Sequence, residues 1–81
     1  MIKKLKCKQF EVIFRLVKKL DLVGVSLYEL SAEVIKVRCF FKFEKLDFIL
    51  DIVREEIVLL EGVGFEVNYT FSENEIVINI F

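Results

Sequence analysis

The chain has no proline, no histidine and no tryptophan, and only three glycines and two cysteines. Without histidine there is no Ser-His or Cys-His pair for nucleophilic catalysis, and no imidazole to hold a metal. Cys7 and Cys39 alone fall short of the four ligands of a structural zinc site. Gly24, Gly62 and Gly64 are too scattered to make a loop that cradles phosphates. Uninterrupted apolar runs extend over a few residues, against the roughly 20 needed to cross a bilayer. The basic opening Met1-Ile2-Lys3-Lys4-Leu5-Lys6 leads into Gln9, Glu11 and Arg15 rather than the apolar core of a signal peptide. These gaps set the expectations: a cytoplasmic, non-enzymatic chain with no membrane contact, no cofactor, no metal and no small-molecule substrate.

The 81 residues are 56% apolar and 31% charged, which excludes disorder as the main state and allows one small domain over 1–81. Both cysteines read as small buried hydrophobes. A disulfide between them would suit an oxidising compartment or a hyperthermophile. A single glutamine amid many Lys, Glu, Ile, Val and Phe residues gives a thermophile-like bias. The lack of proline in the loops opposes it.

The most informative pattern is an internal repeat. Residues 10–40 superpose on 50–81 with a shift of 40 that becomes 41 after one hairpin. Phe10, Ile13, Val17 and Leu20 fall on Leu50, Val53, Ile57 and Leu60. Val23-Gly24 falls on Val63-Gly64, and Ile35, Val37 and Cys39 fall on Ile76, Ile78 and Ile80. The two copies span about 6–43 and 44–81.

Each copy reads as helix, strand, strand. A first helix is predicted over 6–21, with Phe10, Ile13, Phe14, Val17 and Leu20 on one face. Strands follow over 24–30 and 34–43, joined by Ser31-Ala32-Glu33. In the second strand Ile35, Val37, Cys39, Phe41 and Phe43 alternate with Lys36, Arg38 and Lys42, the signature of a half-buried strand. A second helix over 44–61 carries Leu46, Ile49, Leu50, Val53, Ile57 and Leu60, and Gly62 ends it. Phe65, Val67, Tyr69 and Phe71 point one way in a third strand, and a fourth covers 76–81. The order αββαββ predicts an α+β fold, a four-stranded sheet with both helices on one face. It is a circular permutation of the ferredoxin-like βαββαβ plan. Strands 2 and 4, the more β-branched and apolar, are expected at the centre. The expected core is Phe10, Ile13, Val17, Val37, Cys39, Leu50, Val53, Ile57, Phe65, Val67, Ile78 and Ile80.

Two surfaces stand out as candidate sites. Charge is segregated: up to Lys42 ten basic residues face four acidic ones, and from Phe43 on two face nine. A basic first helix beside an acidic second helix would neutralise both. Otherwise Lys4, Lys8, Arg15, Lys18, Lys36, Arg38 and Lys42 are candidate contacts for a polyanion, with nucleic acid as the partner. The sheet face turned away from the helices is expected to show Ser26, Tyr28, Leu30, Val34, Lys36, Arg38, Phe40, Lys42, Asn68, Thr70, Val77, Asn79 and Phe81. Aromatic and basic residues interleave there as on sheets that stack RNA bases, although the signature strings of such sheets are missing. A half-apolar open sheet is more often a dimer interface, which makes Tyr28, Val34, Phe40, Val77 and Phe81 its candidate residues. The leading expectation is a homodimer formed through this open face or an edge strand, and the alternative is a nucleic-acid-binding regulator using the first helix and the second strand. Carboxylate neighbours such as Glu55-Glu56, or Asp47 with Asp51, have the chemistry for a cation or a proton. On a helix they are expected to form a solvated face.

Overall fold

A computed structural model describes residues 5–81. Helix α1 covers Cys7–Asp21, strand β1 Val25–Leu30 and strand β2 Ile35–Phe40. A 3-10 turn, Phe43–Lys45, leads into helix α2, Leu46–Gly62, followed by β3, Val67–Phe71, and β4, Glu75–Ile80. The four strands form one antiparallel sheet in the order β1-β2-β4-β3. This is the duplicated αββ unit with permuted ferredoxin-like topology, and the two β-branched strands lie at the centre.

The repeat is visible in the pairing. Val37 and Ile78 are equivalent positions of the two copies, and they face each other across the β2–β4 ladder. A pseudo-twofold axis therefore passes between them. The two αββ units are joined edge to edge by antiparallel strands, much as two subunits would be.

Chain turns fix the geometry of each unit. Gln9 on α1 accepts a hydrogen bond from the Lys6 amide and donates to the Val63 carbonyl, tying the start of α1 to the end of α2. At the other end of α1, Asp21 accepts from both the amide and the hydroxyl of Ser26. The Ser26 hydroxyl bonds hold the Asp21 carboxyl below the usual range, the Ser26 amide adds to this, and slight desolvation opposes it. Between them, Gly24 brings the chain so close to β2 that an added Cβ would overlap the Phe40 carbonyl oxygen. Its repeat partner Gly64 has φ +100°, the left-handed region that favours glycine.

The core contains Ile13, Leu16 and Leu20 of α1, Ile49, Val53 and Leu60 of α2, and the inward residues of β2 and β4. Ile13, Val37, Cys39, Val53, Phe65, Ile78 and Ile80 are buried as expected. Val17, Leu50, Ile57 and Val67 are half-buried against this core. Phe10 departs from expectation: it is 39% exposed, because α1 is turned to point Leu16 inward. Cys39 is buried and Cys7 exposed, so the reading of Cys7 as a buried hydrophobe fails. Strand β2 ends at Phe40, so Phe43 sits exposed in the 3-10 turn instead of extending the strand.

Candidate functional site

Strand β1 departs most from an ordinary half-buried strand. It is hydrogen-bonded to β2 on one side, and its other edge carries no strand among the described residues. Val25, Leu27, Tyr28 and Leu30 are 63%, 55%, 52% and 62% exposed. Glu29 is the only charged side chain in Val25–Leu30. Natural sheets usually blunt such edges with charge, proline or cover. The other edge strand, β3, shows Asn68 and Thr70 on its outer face.

The register corrects the phase expected for β1. Ser26, Tyr28 and Leu30 lie opposite Cys39, Val37 and Ile35, which are buried under the helices. Directly opposed residues in an antiparallel pair share a face. Tyr28 therefore points to the helix side, not the outer face, and Val25, Leu27 and Glu29 point outward. An open apolar groove of about 70 Å³ lies there, between Phe10, Ile13, Phe14 and Val17 of α1 and Tyr28, Leu30 and Ile35 of the sheet. Phe10 and Phe14 stack along its rim, ring centroids 6.2 Å apart. The repeat places Leu50, Val53, Arg54 and Ile57 at the equivalent positions of α2. An arginine thus takes the place of Phe14 in the second copy.

The other candidate interface residues do not form one patch. Phe40 and Val77 lie on the outer face, Phe40 opposite Val25 and Val77 opposite Arg38. Val34 and Phe81 flank the Ile35–Ile80 pair at the far end of the same ladder. Tyr28 is on the opposite face.

The polyanion candidates divide similarly. Lys8, Arg15 and Lys18 belong to α1, in the helix layer. Lys36 and Arg38 lie on the outer face, opposite Glu29 and Leu27. Arg38 Nη1 is also 3.8 Å from Glu75 Oε2. Lys42 precedes the 3-10 turn, and Lys4 lies outside the described residues. The basic residues of α1 and β2 are thus on opposite layers, with Glu29 and Glu75 interspersed among those of the sheet.

One charged cluster emerges only from the fold. Glu56, expected on a solvated face with Glu55, is fully buried between the helices. Its Oε1 lies 2.9 Å from Arg15 Nε and 2.8 Å from Lys19 Nζ. Burial pushes the carboxyl upward, but hydrogen bonds from Lys19 and Arg15, with their charges, hold it below its ordinary range. Through this cluster one acid of α2 pairs with two bases of α1. The sequence carried a signal for it: Glu56 falls on Leu16 in the repeat, within a stripe where Ile13 and Leu20 match Val53 and Leu60.

Reactive chemistry finds little to build on among the described residues. No group of three or more Cys, Asp or Glu side chains is arranged to hold a metal. Burial, then the charge of Asp21, pushes the Cys39 thiol up to about 11, so it stays protonated and unreactive near neutral pH. No helix is long and apolar enough to cross a membrane. In comparisons with known proteins, the chain matches no family model, no curated protein and no solved structure.

Proposed function

We propose that this domain is a non-enzymatic association module that works as a homodimer. The observation that carries the reading is the exposure of Val25, Leu27, Tyr28 and Leu30 on an edge strand beside the Phe10–Phe14 groove. Apolar surface exposed on both faces of one open edge is costly to leave in water and favours a contact site. The surface includes strand backbone as well as side chains, so it favours a protein partner over a small molecule. A nucleic acid is less well served, because its candidate cations are divided between opposite layers and mixed with acids on the sheet.

Light scattering on the purified chain across a concentration series tests this function. A homodimer gives twice the 9.6 kDa chain mass and dissociates on dilution. A folded species holding the mass of one chain at every concentration rules it out.

A further inference from the structure

We infer that two copies pair through β1 in antiparallel register centred on Tyr28, joining their sheets into one continuous sheet. This rests on the homodimer reading and specifies its geometry. The outward-pointing backbone groups of β1 follow from the ladder. Ser31 N–H donates to the Val34 carbonyl, so the hydrogen-bonded rungs to β2 are those of Ser31, Glu29, Leu27 and Val25. The N–H and C=O groups of Ser26, Tyr28 and Leu30 therefore point to the open edge. Ser26 agrees with this, since its amide turns away from β2 to donate to Asp21.

These groups select one register. Two copies related by a twofold axis normal to the sheet keep their helices on the same side, so opposed residues must share a face. An axis at Glu29 would set two carboxylates against each other. An axis at Leu27 would set Ser26 opposite Tyr28, so both rungs nearest the axis would lose the Ser26 amide, which Asp21 already occupies. An axis at Tyr28 keeps its central rung whole, because both Tyr28 amides are available, and loses only the Ser26 donor of each flanking Ser26–Leu30 rung. Each Tyr28 amide donates to the Tyr28 carbonyl of the second copy, and each Leu30 amide donates to the Ser26 carbonyl. Glu29 then lies opposite Leu27, away from its own copy.

The same rotation brings the two Tyr28 side chains together on the helix side, each at the margin of its own apolar groove. A second copy fits this edge better than an unrelated strand, for a reason internal to the chain. The β2–β4 joint already unites two αββ units by antiparallel pairing about equivalent residues, Val37 and Ile78. Pairing at β1 extends that arrangement by one more twofold joint.

Tyr28→Pro tests the register, because it removes an amide that points to the open edge and leaves the hydrogen-bonded rungs to β2 in place. Light scattering should show a monomer with the wild-type circular dichroism spectrum. Persistence of the dimer in folded Tyr28→Pro would overturn this inference while leaving the homodimer reading standing; a monomeric wild type would overturn both. If Tyr28→Pro fails to fold, cross-linking decides. Hydrogen-bonded partners in an antiparallel pair have Cα atoms about 5.5 Å apart, within disulfide range. In a Cys7→Ser background, Tyr28→Cys should oxidise to a covalent dimer at a rate at least tenfold above Glu29→Cys. Equal rates, or faster linkage at Glu29, would exclude the Tyr28-centred register.

Discussion

Glu56 Oε1 on α2 lies 2.8 Å from Lys19 Nζ on α1, and the carboxylate is wholly shielded from water. Its repeat equivalent, Leu16, is also fully buried. The same structural position thus holds an ion in one copy and a leucine in the other. That exchange links the two helices electrostatically and makes the duplicated halves distinguishable.

The Leu16 equivalence suggests a substitution. Glu56→Leu should leave stability unchanged or raise it, because buried ion clusters are often no better than well-packed apolar residues. Arg15 and Lys19 keep access to water in that variant, their side chains being 56% and 33% exposed. Glu56→Ala removes the charge and leaves a cavity, and should cost about 1–3 kcal/mol, less than a fully buried pair would. Urea unfolding of both variants gives the comparison. A Glu56→Leu protein less stable than Glu56→Ala would contradict it.

Acid should expose the same cluster. The unfolded Glu56 carboxyl titrates near the ordinary value of 4.5, and the folded one lower. Below 4.5 the unfolded chain therefore binds the proton first, and stability falls with pH. The stabilisation is complete above 4.5 and is lost as pH drops through the folded pKa. Asp21 contributes in the same direction from its own lower range. Unfolding free energies measured from about pH 6 down to about pH 3 should decline less steeply in Glu56→Gln than in the wild type. Parallel curves would remove Glu56 from the acid response.

Gly24, after α1, and Gly62, at the end of α2, should respond oppositely to alanine. A Cβ at Gly24 meets the Phe40 carbonyl and the Phe41 and Cys39 side chains, so Gly24→Ala should destabilise by about 1–3 kcal/mol. Nothing lies within 4 Å of a Cβ at Gly62, the last residue of α2. Gly62→Ala should be neutral or stabilise by up to about 1 kcal/mol through reduced freedom of the unfolded chain. Thermal unfolding of both variants reads the two signs.

The division of basic residues gives a separate test against nucleic acid. Random DNA and RNA should show no salt-sensitive gel shift with the wild type. A shift abolished by neutralising Lys36 and Arg38 would place a polyanion on the sheet. One abolished by neutralising Lys8 and Lys18 would place it on α1. In either case the salt slope should shrink with each lost phosphate contact.

How much of this could be read in the sequence depended on how sharply each element separates its two faces. Strand β2 alternates Ile35, Val37 and Cys39 with Lys36 and Arg38, and its inward side was plain. Strand β1 carries apolar residues on both faces, Val25 and Leu27 on one and Tyr28 and Leu30 on the other, so alternation alone gives no phase. The repeat does contain the answer, since a shift of 41 places Tyr28 on Tyr69, which alternation directs inward and which lies opposite buried Ile78. In α1, Phe10, Phe14, Leu16 and Val17 spread the apolar stripe so widely that its rotation is ambiguous, and the structure buries Leu16 and leaves Phe10 at the surface. Glu56 escaped because a lone carboxylate on a helix looks solvated until the opposing helix is known to supply Arg15 and Lys19.

Amide hydrogen exchange at β1 tests the central claim most directly. In an isolated chain the Tyr28 and Leu30 amides point to the open edge and exchange rapidly, while Leu27 and Glu29 are held by β2. A homodimer paired through β1 requires Tyr28 and Leu30 to be protected at high protein concentration and to lose that protection on dilution, with Leu27 and Glu29 unchanged. Rapid exchange of Tyr28 and Leu30 at every concentration would contradict it.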